Sequence, residues 1–321
     1  MIKQILATMA LLTSFILTPA HAQSQANRVF KVGISSPESN NPFHVQLARS
    51  IVANLKERGI DSVLLSANAD VNAQINNIGD LVAAKVDAIL VAPLNEEGAV
   101  GAVQRARAAG IPVFMYARTL DQKFSSLWLS FVGMDAVAVG EDKGKWLVKN
   151  SKPGKVAMLT GTPGAAPMIE QERGFRSAIE PAGFRVAFSQ HSTQTRESGI
   201  KLAEDALVAH RDLVAIYASN DDLALGAAQA VKAAGLRGKV AVIGLNGSPP
   251  ALAAVHNGDM AATVLLDPAA WGKTAANMVA DFLLQQKQPA RFVPMQHQMV
   301  AQPEAFDLIP PPLRERLGVK K

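Results

Sequence analysis

The sequence predicts an α/β protein of two similar lobes, each a parallel sheet flanked by helices. Three observations lead there. Short β-branched, apolar runs alternate with stretches of helical period along most of the chain. Some of those runs, such as VDAILVAP (86–93), are apolar almost without a break, as a strand covered on both faces requires. The segment AILVAP…AVQRARAAGIPVFM is also echoed later by AIYASN…AAQAVKAAGLRGKVAVIG, which favours two lobes over one very large sheet.

The elements follow in order. VFKVGIS (29–35) reads as a strand, and HVQLARSIVANLKERG (44–59) as a helix stopped by Gly59. DSVLLSA (61–67) is a strand, and NAQINNIGDLVAAK (72–85) a helix with apolar positions three and four apart. After strand 86–93 come the helix GAVGAVQRARAAG (98–110) and the strand IPVFMYA (111–117). The cadence resumes beyond Gly154 with strand 155–161, helix 168–183, strand 184–190 and helix 197–210. Strand 213–219, helix 221–235 and strand 239–246 complete it. Such alternation implies right-handed crossovers between parallel strands. The lobe boundary is expected near FVGMD (131–135), and elements from Ala261 onward can return to either lobe. The tail LIPPPLRERLGVKK is proline-rich, then charged, and is expected on the surface.

At 321 residues, the chain is long enough for two domains with substantial cores. Hydrophobic residues make up 49% and charged ones 18%, which excludes a disordered or fibrous chain. Lys3, the apolar run 5–18 and Ala20-His21-Ala22 read as a secretory signal peptide over 1–22. The run is shorter than the roughly 20 residues that span a bilayer. With no cysteine, the chain has neither disulfides nor a thiol for a lipid anchor, so a soluble periplasmic address is expected. Its formal charge of +5 is scattered, without the basic stripe or motif of a nucleic-acid partner.

Catalytic and cofactor motifs are missing. The first strand–helix turn, VGISSPESNNPF, lacks the G-x-G-x-x-G of a dinucleotide fold, and GTPG (161–164) lacks the lysine of a P-loop. No two histidines of the mature chain have metal-ligand spacing, and no G-x-S-x-G elbow occurs. No cofactor or metal is expected. Polar residues instead gather where open α/β sheets bind ligands, at the carboxyl ends of strands. They are 35–44, 92–95 and 117–118 in the first half, and 161–171, 190–194, 219–221 and 246–247 in the second. Rich in amides and hydroxyls, they suit a neutral polar ligand better than acid–base chemistry. Within SNDD (219–222), Asp221 is expected to cap the following helix, which leaves Asn220 free at the strand end.

SNNPFHVQLA, VDAILVAP, AGIPVFMYAR, ERGF, SNDDLALGAAQAVKAAG, VIGLNG and AATV, in this order and spacing, resemble the periplasmic sugar-binding proteins of the ribose-binding type. That family shares its two-lobed core with LacI-type repressors. The likeness runs from about Val29 to Pro294. It implies two Rossmann-like lobes joined by a three-stranded hinge, with a sugar enclosed between them. The lobes would be 28–133 with about 268–294, and 134–267 with about 295–321. By position, Asn41, Phe43, His44, Arg118 and Asn220 match ligand-contacting residues, and Asn246 stands where an aspartate is usual. Gln171 replaces an arginine, with Arg173 close by, and Gln194 replaces an aromatic. Ala117, Ala92 and Leu266 replace an aspartate, an asparagine and a glutamine.

In such a site an aromatic ring packs on the C–H face of a sugar while amides and a guanidinium hold its hydroxyls. The lost carboxylates point away from ribose, towards another pentose, a hexose or a polyol. The resemblance therefore implies a non-enzymatic receptor, monomeric, that delivers a monosaccharide or polyol to the membrane permease of an ABC importer. The alternatives are a sensory binding protein that serves a chemoreceptor or sensor kinase, and an enzyme on a related scaffold. An export signal stands where a repressor would carry its DNA-binding headpiece.

Overall fold

Two parallel sheets organise the chain. The computed structural model describes residues 28–39, 41–161, 163 and 166–321, so the signal segment expected over 1–22 lies outside the described residues. The first half runs β1 (Lys31–Ser36), α1 (Pro42–Glu57), β2 (Asp61–Ser66), α2 (Val71–Ala83), β3 (Ala88–Val91), α3 (Glu96–Ala108), β4 (Val113–Tyr116) and β5 (Phe131–Gly133). The second continues with α4 (Ala136–Asn150), β6 (Lys155–Thr160), α5 (Ala166–Ile179), β7 (Arg185–His191), α6 (Arg196–Ala209), β8 (Leu213–Ala218), α7 (Asp221–Ala233), β9 (Ala241–Ile243) and α8 (Pro249–His256). The chain ends with β10 (Thr263–Leu266), α9 (Pro268–Gln285), β11 (Phe292–Pro294), β12 (His297–Val300), α10 (Ala305–Leu308) and α11 (Pro311–Arg314).

The first sheet has the order β2-β1-β3-β4-β5-β11, with every pair parallel. The second, β7-β6-β8-β9, repeats that order in small. Single bridges, Ile243 to Ala262 and Asn246 to Leu265, tie the β9 edge to β10, which pairs antiparallel with β12. The order reverses between β1 and β3 in one sheet and between β6 and β8 in the other. These switch points are where doubly wound sheets open a crevice. The chain passes between the sheets after β5, after β10 and after β11, which makes the three-stranded hinge.

Full burial explains the apolar strands. All four residues of β3 and of β4 are buried. Ala88, Leu90, Phe114 and Tyr116 face α1 and α9 on one side. Ile89, Val91, Val113 and Met115 face α2 and α3 on the other. In the second lobe α4 and α5 cover one face and α6, α7 and α8 the other. Helices α4 and α5 pack almost backbone to backbone, because a Cβ at Gly140 would lie 2.0 Å from Gln171 O and one at Gly174 2.1 Å from Val137 O. No helix among the described residues is long and apolar enough to cross a membrane.

Three expectations change. Helix α1 starts two residues earlier than the apolar period suggested, because Asn41 caps it and Pro42 presets the first turn. Strand β9 is only three residues long, since the chain turns sharply through Asn246 and Gly247, both at positive φ. The tail is not a loose surface segment. Ile309 and Val319 are buried in the second-lobe core, with Leu313 and Leu317 packed against it.

Candidate ligand-binding site

Helix entrances build the site. Asn41, after β1, accepts from Phe43 N–H at 3.0 Å and so caps α1. Asn220, after β8, accepts from Leu223 N–H at 2.9 Å and caps α7. The cap of α7 is therefore Asn220 and not Asp221. Asp221 is buried instead, accepting from Ser248 N–H and from Thr263 Oγ1, each at 2.6 Å. Both asparagines use their side-chain oxygen on their helix, which leaves the amide nitrogen for another partner, the Glu38 carboxylate in the case of Asn41. At Asn220 that nitrogen donates to Gln194 O at 3.1 Å.

Seven of the eight residues singled out in the sequence line one tight cavity of about 50 Å³: Asn41, Phe43, His44, Arg118, Gln194, Asn220 and Asn246. Phe43 lies edge-on to His44 and to Trp271, with ring centroids 5.4 Å apart in each case. Gln171 does not line this cavity. It is fully buried on α5, where its Oε1 accepts from Tyr217 Oη at 3.4 Å. A wider cavity of about 710 Å³ opens alongside and shares Asn41 and Gln194 with the inner one. Three residues of the inner cavity, Ala117, Gln194 and Asn246, hold positive φ of 57°, 59° and 127°. Such backbone costs of order 1–3 kcal/mol per residue and concentrates where function needs a fixed shape.

The sequence placed Glu38 and Ser219 among the polar residues at strand ends without singling them out, and it missed Trp271. Arg118 Nη2 donates to Glu38 Oε1 at 2.9 Å. Glu38, from the turn after β1, thus pairs the guanidinium and lines the wider cavity. Burial pushes the Glu38 carboxyl up, yet the Arg118 guanidinium and the Asn41 side chain outweigh it and hold it below the usual carboxylate range. His44 is driven down to about 3, first by burial and then by Arg118, so its imidazole is neutral around pH 7. With Arg118 matched by Glu38 and His44 neutral, the inner cavity favours an uncharged ligand. Glu38 stands inside the same SSPESNNPF turn, but its role depends on a partner 80 residues away. Trp271, four residues past Asp267, carries an α-helical period that reads equally well as core.

Behind the second-lobe wall lies Lys143. It is fully buried, donates to Ala218 O at 2.8 Å, and sits 3.6 Å from the centroid of the Tyr217 ring. Burial pushes its ammonium down to about 7 and lifts the Asp221 carboxyl. The lysine grips the end of β8, one residue before Ser219 and two before Asn220.

Comparison with known proteins agrees with this geometry. The family model described as a periplasmic binding protein domain matches residues 32–287. The ribose import binding protein RbsB of Bacillus subtilis (strain 168) is 33% identical over 279 residues, 85% of this chain and 89% of that protein. The galactofuranose-binding protein YtfQ of Escherichia coli (strain K12) is 34% identical over 245 residues, 74% of this chain and 77% of that protein. Among solved structures, the binding component of the arabinose ABC transporter from Shewanella sp. ANA-3, bound to α- and β-L-arabinofuranose, superimposes with a TM-score of 0.82 at 29% identity. That likeness covers 91% of this chain and 99% of that one. The chain belongs to the periplasmic binding protein family, among the sugar-binding proteins of the ribose-binding type.

Proposed function

We propose that this protein is a periplasmic receptor that captures a neutral monosaccharide or polyol between its lobes and delivers it to the permease of an ABC importer. The moving units are residues 28–133 with 268–294, and 134–267 with 295–321. Hinge closure around the sugar creates the form that the permease recognises. The receptor acts as a monomer, and no bond of the sugar is made or broken.

One observation carries the reading: aromatic, amide and hydroxyl side chains from both lobes converge on a single cavity whose guanidinium is already neutralised. An aromatic face with paired amides suits the C–H face and hydroxyls of a sugar. Among the described residues that line it, the cavity holds no unpaired charge of the kind an amino acid or organic acid would need. The names of the relatives, for ribose, galactofuranose and arabinofuranose, agree on the ligand class while differing in the sugar.

A thermal-shift screen against D-ribose, L-arabinose, D-galactose, myo-inositol and the common amino acids tests it. A sugar at 100 times its Kd adds about 2.7 kcal/mol to the folded state. In a chain of this size that raises the Tm by roughly 4 °C. A shift with an amino acid and with none of the sugars or polyols would overturn the assignment.

A further inference from the structure

Three residues of the inner cavity carry a buried polar atom with no hydrogen-bond partner: His44 Nδ1, Ser219 Oγ and Trp271 Nε1. Native proteins leave few such atoms, because each costs the desolvation of a polar group without return. Here the three come from different parts of the wall. His44 stands on α1, Ser219 at the end of β8 in the opposite lobe, and Trp271 on the first turn of α9 just beyond a hinge pass. Trp271 is 2% exposed and Ser219 is equally buried.

The indole is the most demanding of the three. Its N–H is a donor only, so nothing but an acceptor can satisfy it. Its position is also fixed. The ring stands at 87° to Phe43, and the next residue, Gly272, lies so close to α1 that a Cβ there would be 2.6 Å from Leu47 O. The indole therefore sits in a packed setting, 2% exposed and edge-on to Phe43, on a helix pressed closely against α1.

We propose that Trp271 is a specificity-determining residue whose indole N–H donates to one hydroxyl oxygen of the ligand, while Ser219 binds a second hydroxyl from the other lobe. This rests on the sugar-receptor reading and deepens it. A ligand that offers C–H at the Trp271 position leaves the donor orphaned in the closed cleft. The receptor therefore rejects the analogue deoxygenated at that carbon, as sites built to pair a hydroxyl do. Ser219 imposes the same rule at a different carbon.

Calorimetric titration tests this with D-ribose, L-arabinose, D-galactose and myo-inositol, followed by the monodeoxy analogues of the tightest binder. Wild type is expected to bind one analogue about tenfold or more weaker than the parent because of Trp271. Trp271→Phe keeps a six-membered aromatic ring and loses the N–H with the rest of the pyrrole ring. It is expected to bind the parent sugar about five- to tenfold more weakly and that one analogue as well as wild type does. Its ligand-free Tm is expected to fall only modestly, since removal of an unpaired donor offsets part of the void left by the smaller ring. Ser219→Ala, which serves on its own should the tryptophan variant fail to fold, is expected to show the same pattern on a different analogue. Wild-type affinity for the parent in the variants, or an equal loss for the parent and every analogue, overturns the proposal alone. A wild-type protein that binds none of the four probes overturns the sugar reading and this proposal with it.

Discussion

Arg118 and Glu38 meet at 2.9 Å where the ends of β4 and β1 converge, and both side chains are largely buried. This pair fixes the guanidinium in the cavity wall and cancels its charge. Arg118→Ala then does more than remove a ligand contact, because it leaves Glu38 buried without its cation. We expect a loss of about 1–3 kcal/mol in folding stability together with weakened sugar binding. Glu38→Gln keeps the shape of the pair. Its carboxyl is held low in the folded state, so its contribution is present in full above the ordinary carboxylate range and is lost as pH falls through and below it. Urea denaturation at pH 7 and pH 4 is expected to show a smaller acid loss in Glu38→Gln than in wild type.

His44 sets a second acid limb. Its folded value of about 3 lies below the ordinary 6.5, so the unfolded chain takes up a proton that the folded protein refuses. The stability from this group is whole above pH 6.5 and falls steadily as pH drops towards 3. His44→Phe retains a ring and does not titrate. Its Tm between pH 7 and pH 5 is expected to fall less steeply than that of wild type, and a parallel fall would contradict a buried neutral imidazole.

Lys143 acts at the other end of the scale. Its folded value of about 7 lies below the ordinary 10.5, so the unfolded chain binds the extra proton between those limits and wild-type stability rises with pH across them. The rise approaches about 1.4 kcal/mol per pH unit for a fully coupled group. Lys143→Met fills the same space without titrating. Melting curves from pH 7 to pH 9.5 are expected to climb in wild type relative to this variant. At pH 7 the variant also loses the bond to Ala218 O, and with it the anchor behind Ser219 and Asn220.

The tail belongs to the second lobe. Removal of residues 311–321 takes away Val319, Leu313 and Leu317 and opens the core they cover. A drop of about 2–4 kcal/mol is expected on denaturation, from the usual value of buried aliphatic side chains. An unchanged denaturation midpoint would return the tail to the surface.

Much of the fold was legible because both sheets are covered on two faces. Strands such as AILV (88–91) must then be continuously apolar, and their flanking helices must show a clean period. The tail misled for the reverse reason. Its apolar residues, Ile309, Leu313, Leu317 and Val319, are spaced among prolines and charges, and only the docked chain shows which side each takes. In the site, Asn41 and Asn220 were visible as polar residues at strand ends, yet their capping duty and cavity position turn out to be compatible. The Glu38–Arg118 pair joins two turns far apart in sequence, and no local pattern announces it. Asp221 went astray because Asn220 is equally fit to cap, and burial against Ser248 and Thr263 is a tertiary fact.

The most direct measurement is a calorimetric titration of wild type and Phe43→Ala with the sugar or polyol found in the thermal-shift screen. Phe43 is the ring shared by the His44 and Trp271 contacts at the cavity wall. One ligand per chain is expected for wild type, with affinity at least about tenfold weaker in a folded Phe43→Ala. Equal affinity in the two proteins would contradict a sugar site between the lobes.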